Sequence, residues 1–424
     1  MLDVQSIRRD FPTIQTDSVY LDSAASSLTP FSVLDAMTDY YHHHRTNLHR
    51  GMHKLAMETA RKFDAAVENI ANFIGAKPEE LSITTNATHA INQVALSLDF
   101  QAGDEIIVST LEHSSNVFPW LRLAEKEGVI LRWWIANEDG LLDIAALEDL
   151  LTDKTRLVAV THVSNVLGSV ISVAAIGKIC NDRGILYLVD ACQSVPHLTL
   201  DVRQIGCDFL AFSGHKMCGP TGIGILYLKE RHAQRLSPAF IGGGTINTYR
   251  SRYNDLESCT LTAHVFSDLP HKWIAGTPPI AETLGLSAAI DYLATIGFDH
   301  MVAHDQQLVE HALAGLSNIP YVDIFGPLSA VQRSAIVSFN IGDLSPLRVG
   351  RMLTEEFNIG LRAGHNCALN YFHEVQPPGK VMGNVRASFY LYTTIEEIDH
   401  FLSAVETIAS TQVKSRARSL VSTV

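Results

Sequence analysis

Lys216 closes the run Phe209-Leu-Ala-Phe-Ser213-Gly-His215-Lys216, in which an apolar strand ends in small polar residues, a histidine and a lysine. An amine just past a buried strand end can form a Schiff base with an aldehyde cofactor, and Ser213 and His215 offer polar groups for its phosphate. Upstream, Leu186-Tyr-Leu-Val189 runs into Asp190 and then Gln193. That places a carboxylate at a second strand end, suited to pair with a protonated pyridine nitrogen. Either residue alone reads as a surface lysine or a capping aspartate. Together, with Ser213 and His215, they form the minimal constellation for pyridoxal 5'-phosphate (PLP).

Cysteine chemistry is the second candidate. The six cysteines are Cys180, Cys192, Cys207, Cys218, Cys259 and Cys367, with no CxxC pair and no zinc or disulfide spacing. Cys180, Cys192 and Cys207 adjoin apolar segments and read as buried small hydrophobes. Cys367 sits in Arg362-Ala-Gly-His-Asn-Cys367-Ala, a polar turn with nothing to bury it, so it reads as a reactive thiol.

Elements must hold these groups. Short apolar runs at Leu81–Thr84, Glu105–Ser109, Leu157–Val160, Ile185–Val189, Asp208–Phe212 and Ile223–Leu228 predict strands. They alternate with helical patterns, such as residues 57–74, which put Phe63, Val67, Ile70, Ala71 and Ile74 on one face. That alternation predicts an α/β domain around a mostly parallel sheet buried on both faces. Polar groups follow the strands: Thr88 with His89, His113, Asn165, Asp190 with Gln193, and Ser213 with Lys216. Ligands of open α/β sheets bind outside the carboxyl ends of strands, so these groups are expected to converge. Beyond about residue 280 the pattern predicts a smaller α+β domain: helices at Ala281–Leu293, Glu310–Leu316, Pro346–Glu356 and Ile395–Ile408, and strands at Ser334–Asn340 and Val385–Tyr390. The expected division is an N-terminal segment 1–22 on the small domain, a large domain 23–280, a small domain 281–410 and a flexible tail 411–424.

Bulk composition narrows the class. A chain of 424 residues with 46% hydrophobic and 18% charged content fits a two-domain globular protein. A formal net charge of −13 argues against binding nucleic acid by phosphate neutralisation. No apolar stretch approaches the roughly 20 residues that span a bilayer, and the first residues lack a signal-peptide core, so a cytoplasmic enzyme is expected. Cys218-Gly-Pro-Thr-Gly-Ile-Gly224 precedes a strand instead of a helix, which excludes a dinucleotide fingerprint and leaves a tight turn. Gly242-Gly-Gly244 allows close backbone approach or a hinge. His42-His-His44, with His49 and His53, lacks the carboxylate or cysteine partners of a metal site, and none is expected.

These motifs resemble the cysteine desulfurase and selenocysteine lyase group of the class V aminotransferase superfamily, PLP fold type I. The likeness begins at Val19-Tyr-Leu-Asp22-Ser-Ala-Ala25 and Asn47-Leu-His49-Arg50-Gly51-Met-His53. It continues through Glu112-His113, Thr161-His-Val-Ser-Asn165, Val189-Asp190-Ala-Cys-Gln193 and Ser213-Gly-His215-Lys216. It closes with Ala275-Gly276-Thr277-Pro278, Arg362–Cys367 and Val385-Arg386. The resemblance implies a large domain with a mostly parallel seven-stranded sheet. Lys216 would hold PLP, Asp190 would keep its nitrogen protonated, and His113 would stack on the ring and shuttle protons. Gln193 and Asn165 would bond the phenolic oxygen, while Thr88, Ser213 and His215 would bind the phosphate. Gly276 and Thr277 would reach the phosphate of a neighbouring subunit, implying a homodimer. Arg386, with Asn165 and Arg362, would bind the carboxylate of L-cysteine or L-selenocysteine. Cys367 would take the sulfur as a persulfide for an acceptor protein in iron–sulfur or thio-cofactor assembly. The alternatives are a C–S lyase, epimerase or aminotransferase in which Cys367 is incidental, and a scaffold that only binds a partner.

Several positions depart from the group's pattern. The phosphate loop reads Thr84-Thr-Asn86-Ala87-Thr88-His89 where Thr-x-Gly-Thr-Thr-Glu is usual, and Asn86 is expected to supply the left-handed turn of glycine. Trp273-Ile274 replaces Phe-Glu, Asn366 replaces a frequent histidine, and segments 245–274 and 369–384 are longer, bordering the entrance.

Overall fold

The computed structural model describes residues 2–15, 18–48, 51–253, 259–374 and 382–421. His49, Arg50, residues 254–258 and 375–381 of the two long segments, and 422–424 of the expected tail lie outside the described residues. After a two-residue strand, β1 (Val19–Tyr20), come seven strands: β2 (Leu81–Thr84), β3 (Glu105–Ser109), β4 (Ile130–Trp134), β5 (Thr155–Thr161), β6 (Leu186–Asp190), β7 (Phe209–Ser213) and β8 (Gly224–Leu228). They form one sheet in the order β2-β8-β7-β6-β5-β3-β4. β8 is antiparallel to β2 and β7, and the other pairings are parallel.

Burial on both faces explains the unbroken apolar runs. Within β7, Leu210 and Phe212 join one core while Phe209 and Ala211 join another on the opposite face. The edge strand β4 carries Arg132 and two tryptophans in place of a Val/Ile run, so a search for apolar runs passes over it. The helix Lys54–Phe73 starts earlier than its apolar face, because the His53 imidazole caps the Ala56 amide at 3.2 Å.

A hairpin of β9 (Ile246–Tyr253) and β10 (Cys259–Phe266) follows. The small sheet contains β11 (Val322–Phe325), β12 (Ile336–Ile341), β14 (Arg362–Gly364) and β15 (Asn384–Ser388), antiparallel in the order β11-β12-β15-β14. The two-residue β13 (Ile359–Gly360) pairs in parallel with β1, and Leu21 packs in the small-domain core. The last helix spans Ile395–Val421. Residues 411–421, expected as a tail, therefore continue that helix, and the Ser/Thr/Lys/Arg composition that suggested fraying is compatible with helical backbone.

Candidate active site

The carboxyl ends of five strands of the large sheet, with two strands of the small sheet and the cysteine turn, build one cavity of about 250 Å³. Its lining includes Thr88, His113, Asn165, Asp190, Gln193, Ser213, His215, Lys216, Arg362, Cys367 and Arg386. The strand-end convergence expected from the sequence is thus present for these residues. Gly276 and Thr277 are elsewhere: with Asn47, Gly243 and Gly244 they line a second cavity of about 370 Å³.

Lys216 ends a short 3-10 turn, Gly214–Lys216, directly after β7. Asp190 ends the neighbouring β6, and its carboxylate accepts the Cys192 amide at 2.9 Å. Gln193 donates to the Ala24 carbonyl at 2.7 Å. Asn165 donates to the Asn366 carbonyl at 2.7 Å, which joins the large domain to the cysteine turn.

The β2–helix loop forms an anion cradle with the expected Thr88, Ser213 and His215, but Asn86 takes another part in it. Asn86 is extended, φ −176°, not left-handed. It serves as N-cap of the helix Ala87–Ser97, its side chain accepting from the His89 amide at 2.9 Å. Ser213 Oγ accepts the Ala87 amide at 2.9 Å and keeps its own hydrogen to donate. Thr88 Oγ lies 2.7 Å from Ser115 Oγ, and His215 Nδ1 lies 3.2 Å from Ser26 Oγ. A helix N-terminus, hydroxyls and an imidazole suit a phosphate dianion. A carboxylate at the end of β6, three strands from β2, and an amine after β7 between them suit the rest of PLP, so the donor set fits that cofactor.

His113 accepts the Ser115 amide at Nδ1, 3.1 Å. Burial, helped by the Lys216 ammonium, pulls its pKa down to about 4, so it is neutral at pH 7. Behind it, Glu112 is fully buried and accepts from Thr161 N at 3.0 Å and Asn116 Nδ2 at 2.7 Å, with Ser109 Oγ also bonded. Burial pushes its carboxyl up to about 8.

Cys367 is exposed, while Cys180, Cys207 and Cys218 are buried. Cys192, expected to be buried, is only partly so and borders the cavity. The Cys259 side chain lies outside the described residues. Asn366 and Cys367 both take left-handed φ, 50° and 57°, a conformation that costs non-glycine residues about 1–2 kcal/mol each. Fixed partners hold it. Ser114 donates to the Cys367 carbonyl through N, 2.8 Å, and Oγ, 2.9 Å. Asn366 donates to Asn384 Oδ1 at 2.8 Å. The thiol is therefore presented from a strained, anchored turn tied to the His113 loop.

Arg386 is buried on β15, its terminal nitrogens donating to the Asn165 carbonyl at 2.8 Å and Asp22 Oδ1 at 2.9 Å. Its Nε is buried and has no hydrogen-bond partner. Ser26, Ser115, Cys192 and Asn366 also line or brace the site, and sequence reasoning gave no role to them or to Asp22. For Asp22 the signal was its place in the first motif. Trp273 is buried and donates to the Ala233 carbonyl at 2.9 Å. Among the described residues no group of His, Cys, Asp or Glu could hold a metal ion.

Fold and site together define an α/β enzyme of the PLP type I architecture. The sequence model described as "Aminotransferase class-V" matches residues 19–401, and the chain belongs to that family. Within it, a relative from Streptomyces coelicolor named "Probable cysteine desulfurase" is 40% identical, covering 96% of this chain and 97% of its own. The "Cysteine desulfurase" of Haloferax volcanii is 36% identical, covering 96% of each chain. Among solved structures, the apo cysteine desulfurase from Thermococcus onnurineus NA1 superposes with a TM-score of 0.90 at 37% identity, covering 97% of this chain and 99% of that one.

Proposed function

We propose that this protein is a PLP-dependent cysteine desulfurase that converts L-cysteine to L-alanine and captures the sulfur on Cys367. One observation carries the reading: an exposed, anchored Cys367 shares a single cavity with Lys216, Asp190 and a buried Arg386 whose Nε has no partner. The names of the 36–40% identical relatives support it.

PLP, when bound, supplies an aldehyde for the Lys216 amine and a ring that draws electrons from the substrate α-carbon. Asp190 would hold the proton on the ring nitrogen, with Asn165 and Gln193 at the phenolic oxygen. Thr88, Ser213 and His215, gathered at the start of the helix Ala87–Ser97, would hold the phosphate. Arg386 takes the substrate carboxylate, as guanidinium geometry favours. Lys216 Nζ, once released, removes the α-proton and later returns one. Neutral His113, its Nδ1 accepting the Ser115 amide, carries its hydrogen on Nε2 and offers that N–H to the reacting groups as a donor. The Cys367 thiolate attacks the substrate sulfur: an S–S bond forms as the Cβ–S bond breaks. The electron pair stays with the carbon skeleton, which takes up a proton and leaves as alanine.

The remaining parts of the proposal are a homodimer, a sulfur-acceptor protein in iron–sulfur or thio-cofactor assembly, and a cytoplasmic location. The placing of Gly276 and Thr277 outside the Lys216 cavity supports the first, since a second copy could bring them to it. The exposed thiol supports the second. For the third, no helix among the described residues is long and apolar enough to cross a membrane.

The test is alanine and sulfide release from L-cysteine with a reductant, wild type beside Cys367→Ala. Equal alanine and sulfide from wild type, and near-zero turnover by a variant that keeps its cofactor colour, are expected. Pyruvate and ammonia in place of alanine, or an undiminished variant, would establish a C–S lyase instead.

A further inference from the structure

Arg362 and Arg386 are direct cross-strand partners in the antiparallel pair β14–β15. Residues opposed in this way share a face with Cβ atoms about 5 Å apart, where like charges destabilise the pair. Both line the Lys216 cavity, Arg386 with 3% of its side chain exposed and Arg362 with 48%. One carboxylate bridges them. Asp22 Oδ1 accepts from Arg386 at 2.9 Å, and Oδ2 lies 3.3 Å from Arg362 Nε and 3.2 Å from its terminal nitrogen.

The backbone keeps Asp22 there. It forms a parallel bridge to Ser388, the Ser388 amide donates to the Leu21 carbonyl at 2.8 Å, and Ser388 Oγ accepts the Ala24 amide at 2.9 Å. Arg386 and Ser388, two apart on β15, point to the same face. The N-terminal segment thus aims its carboxylate at the arginine pair. With Asp22 on one terminal nitrogen and the Asn165 carbonyl on the other, the Arg386 fork is held, and its buried Nε is left without a partner. Two guanidinium groups against one carboxylate leave one net positive charge on this wall.

Resting on the desulfurase reading of this cavity, we propose that Asp22 is a positioning and specificity-determining residue: it locks Arg386 and cancels one arginine charge, matching the wall to an amino acid with a single carboxylate and disfavouring one whose side chain bears a second. An α-carboxylate brings the wall to neutrality. A second anion, as in L-aspartate, finds Arg362 already paired.

The test uses the PLP-loaded enzyme, titrating cofactor absorbance with L-alanine and L-aspartate and measuring L-cysteine turnover separately. Asp22→Asn should shift the alanine-to-aspartate affinity ratio toward aspartate by about tenfold, the scale of one unscreened charge contact at a protein surface. KM for L-cysteine should rise while kcat changes less, and Asp22→Glu should restore the wild-type preference. A ratio within twofold of wild type, in an Asp22→Asn protein that retains cofactor, would overturn the assignment. Should that variant fail to fold, Arg362→Gln alone decides, because its net-neutral wall should raise KM for L-cysteine, and an unchanged KM would overturn the assignment. A wild type that binds both amino acids without turning over L-cysteine would sink the desulfurase reading, not the role of Asp22.

Discussion

Glu112 and His113 are sequence neighbours whose burial shifts them in opposite directions. The Glu112 carboxyl is raised to about 8 from an ordinary value near 4.5. An unfolded chain therefore releases this proton first, and the group's contribution to stability is full below pH 4.5 and falls as pH rises to about 8. His113 and His162 are lowered to about 4 by burial. For them the unfolded chain binds protons first, so stability is full above pH 6.5 and falls as pH drops toward 4. Glu112→Gln removes the titration and keeps one acceptor oxygen, for Thr161 N, while its amide group replaces the oxygen that faces Asn116 Nδ2. Denaturant midpoints of wild type and variant at pH 5 and pH 8 should show a smaller alkaline loss for Glu112→Gln; equal losses would place the alkaline titration elsewhere. At this scale the sequence was informative where side-chain type dictates chemistry, as for Lys216, Asp190 and Cys367. The role of Asp22 was not legible, because its partner Arg386 is 364 residues away in the chain.

The elements decide how tightly the cofactor loop can close. Gly224 opens β8 beside Asn86, and a Cβ there would meet the Asn86 carbonyl carbon and Cα at 2.5 Å. Backbone cannot yield as a side chain tip does. Gly224→Ala should therefore destabilise the protein by about 1–3 kcal/mol and shift the Asn86 turn that starts the helix bearing Ala87 and Thr88. Both effects are measurable, as a lower unfolding midpoint and as cofactor absorbance lost on gel filtration; a variant with unchanged midpoint and colour would show that the loop moves freely. The apolar strands β3, β5, β6, β7 and β8 were visible in the sequence because burial on both faces demands unbroken hydrophobic runs. The edge strand β4 and the two- and three-residue β13 and β14 were not, since tertiary pairing and not composition makes them strands. Asn86 shows the same limit: its type allowed a left-handed turn, and the start of the next helix drew it into capping instead.

For the whole molecule, Gly243 and Gly244 line the second cavity with Gly276 and Thr277, and exposed Ile241 and Tyr249 line a pocket at the neighbouring Gly242 and the β9–β10 hairpin. Apolar side chains left in water near a glycine-lined pocket fit a surface covered by another copy. Sedimentation should give twice 46.6 kDa, and Tyr249→Asp should lower both that mass and cofactor retention; a monomeric wild type that holds PLP fully would refute the shared site. The amino-acid sequence by itself determined the kind of chemistry, through an amine, a carboxylate and a thiol at strand ends and a turn, and the α/β alternation that carries them. These are local properties, since residue type and hydrophobic period act over a few neighbours. Tertiary structure alone decided which groups meet and in what state. Burial set the protons of Glu112 and His113, β14–β15 register opposed two arginines, and the first strand's docking on the small domain placed Asp22 between them. Desolvation and long-range pairing exist only once the chain has closed on itself.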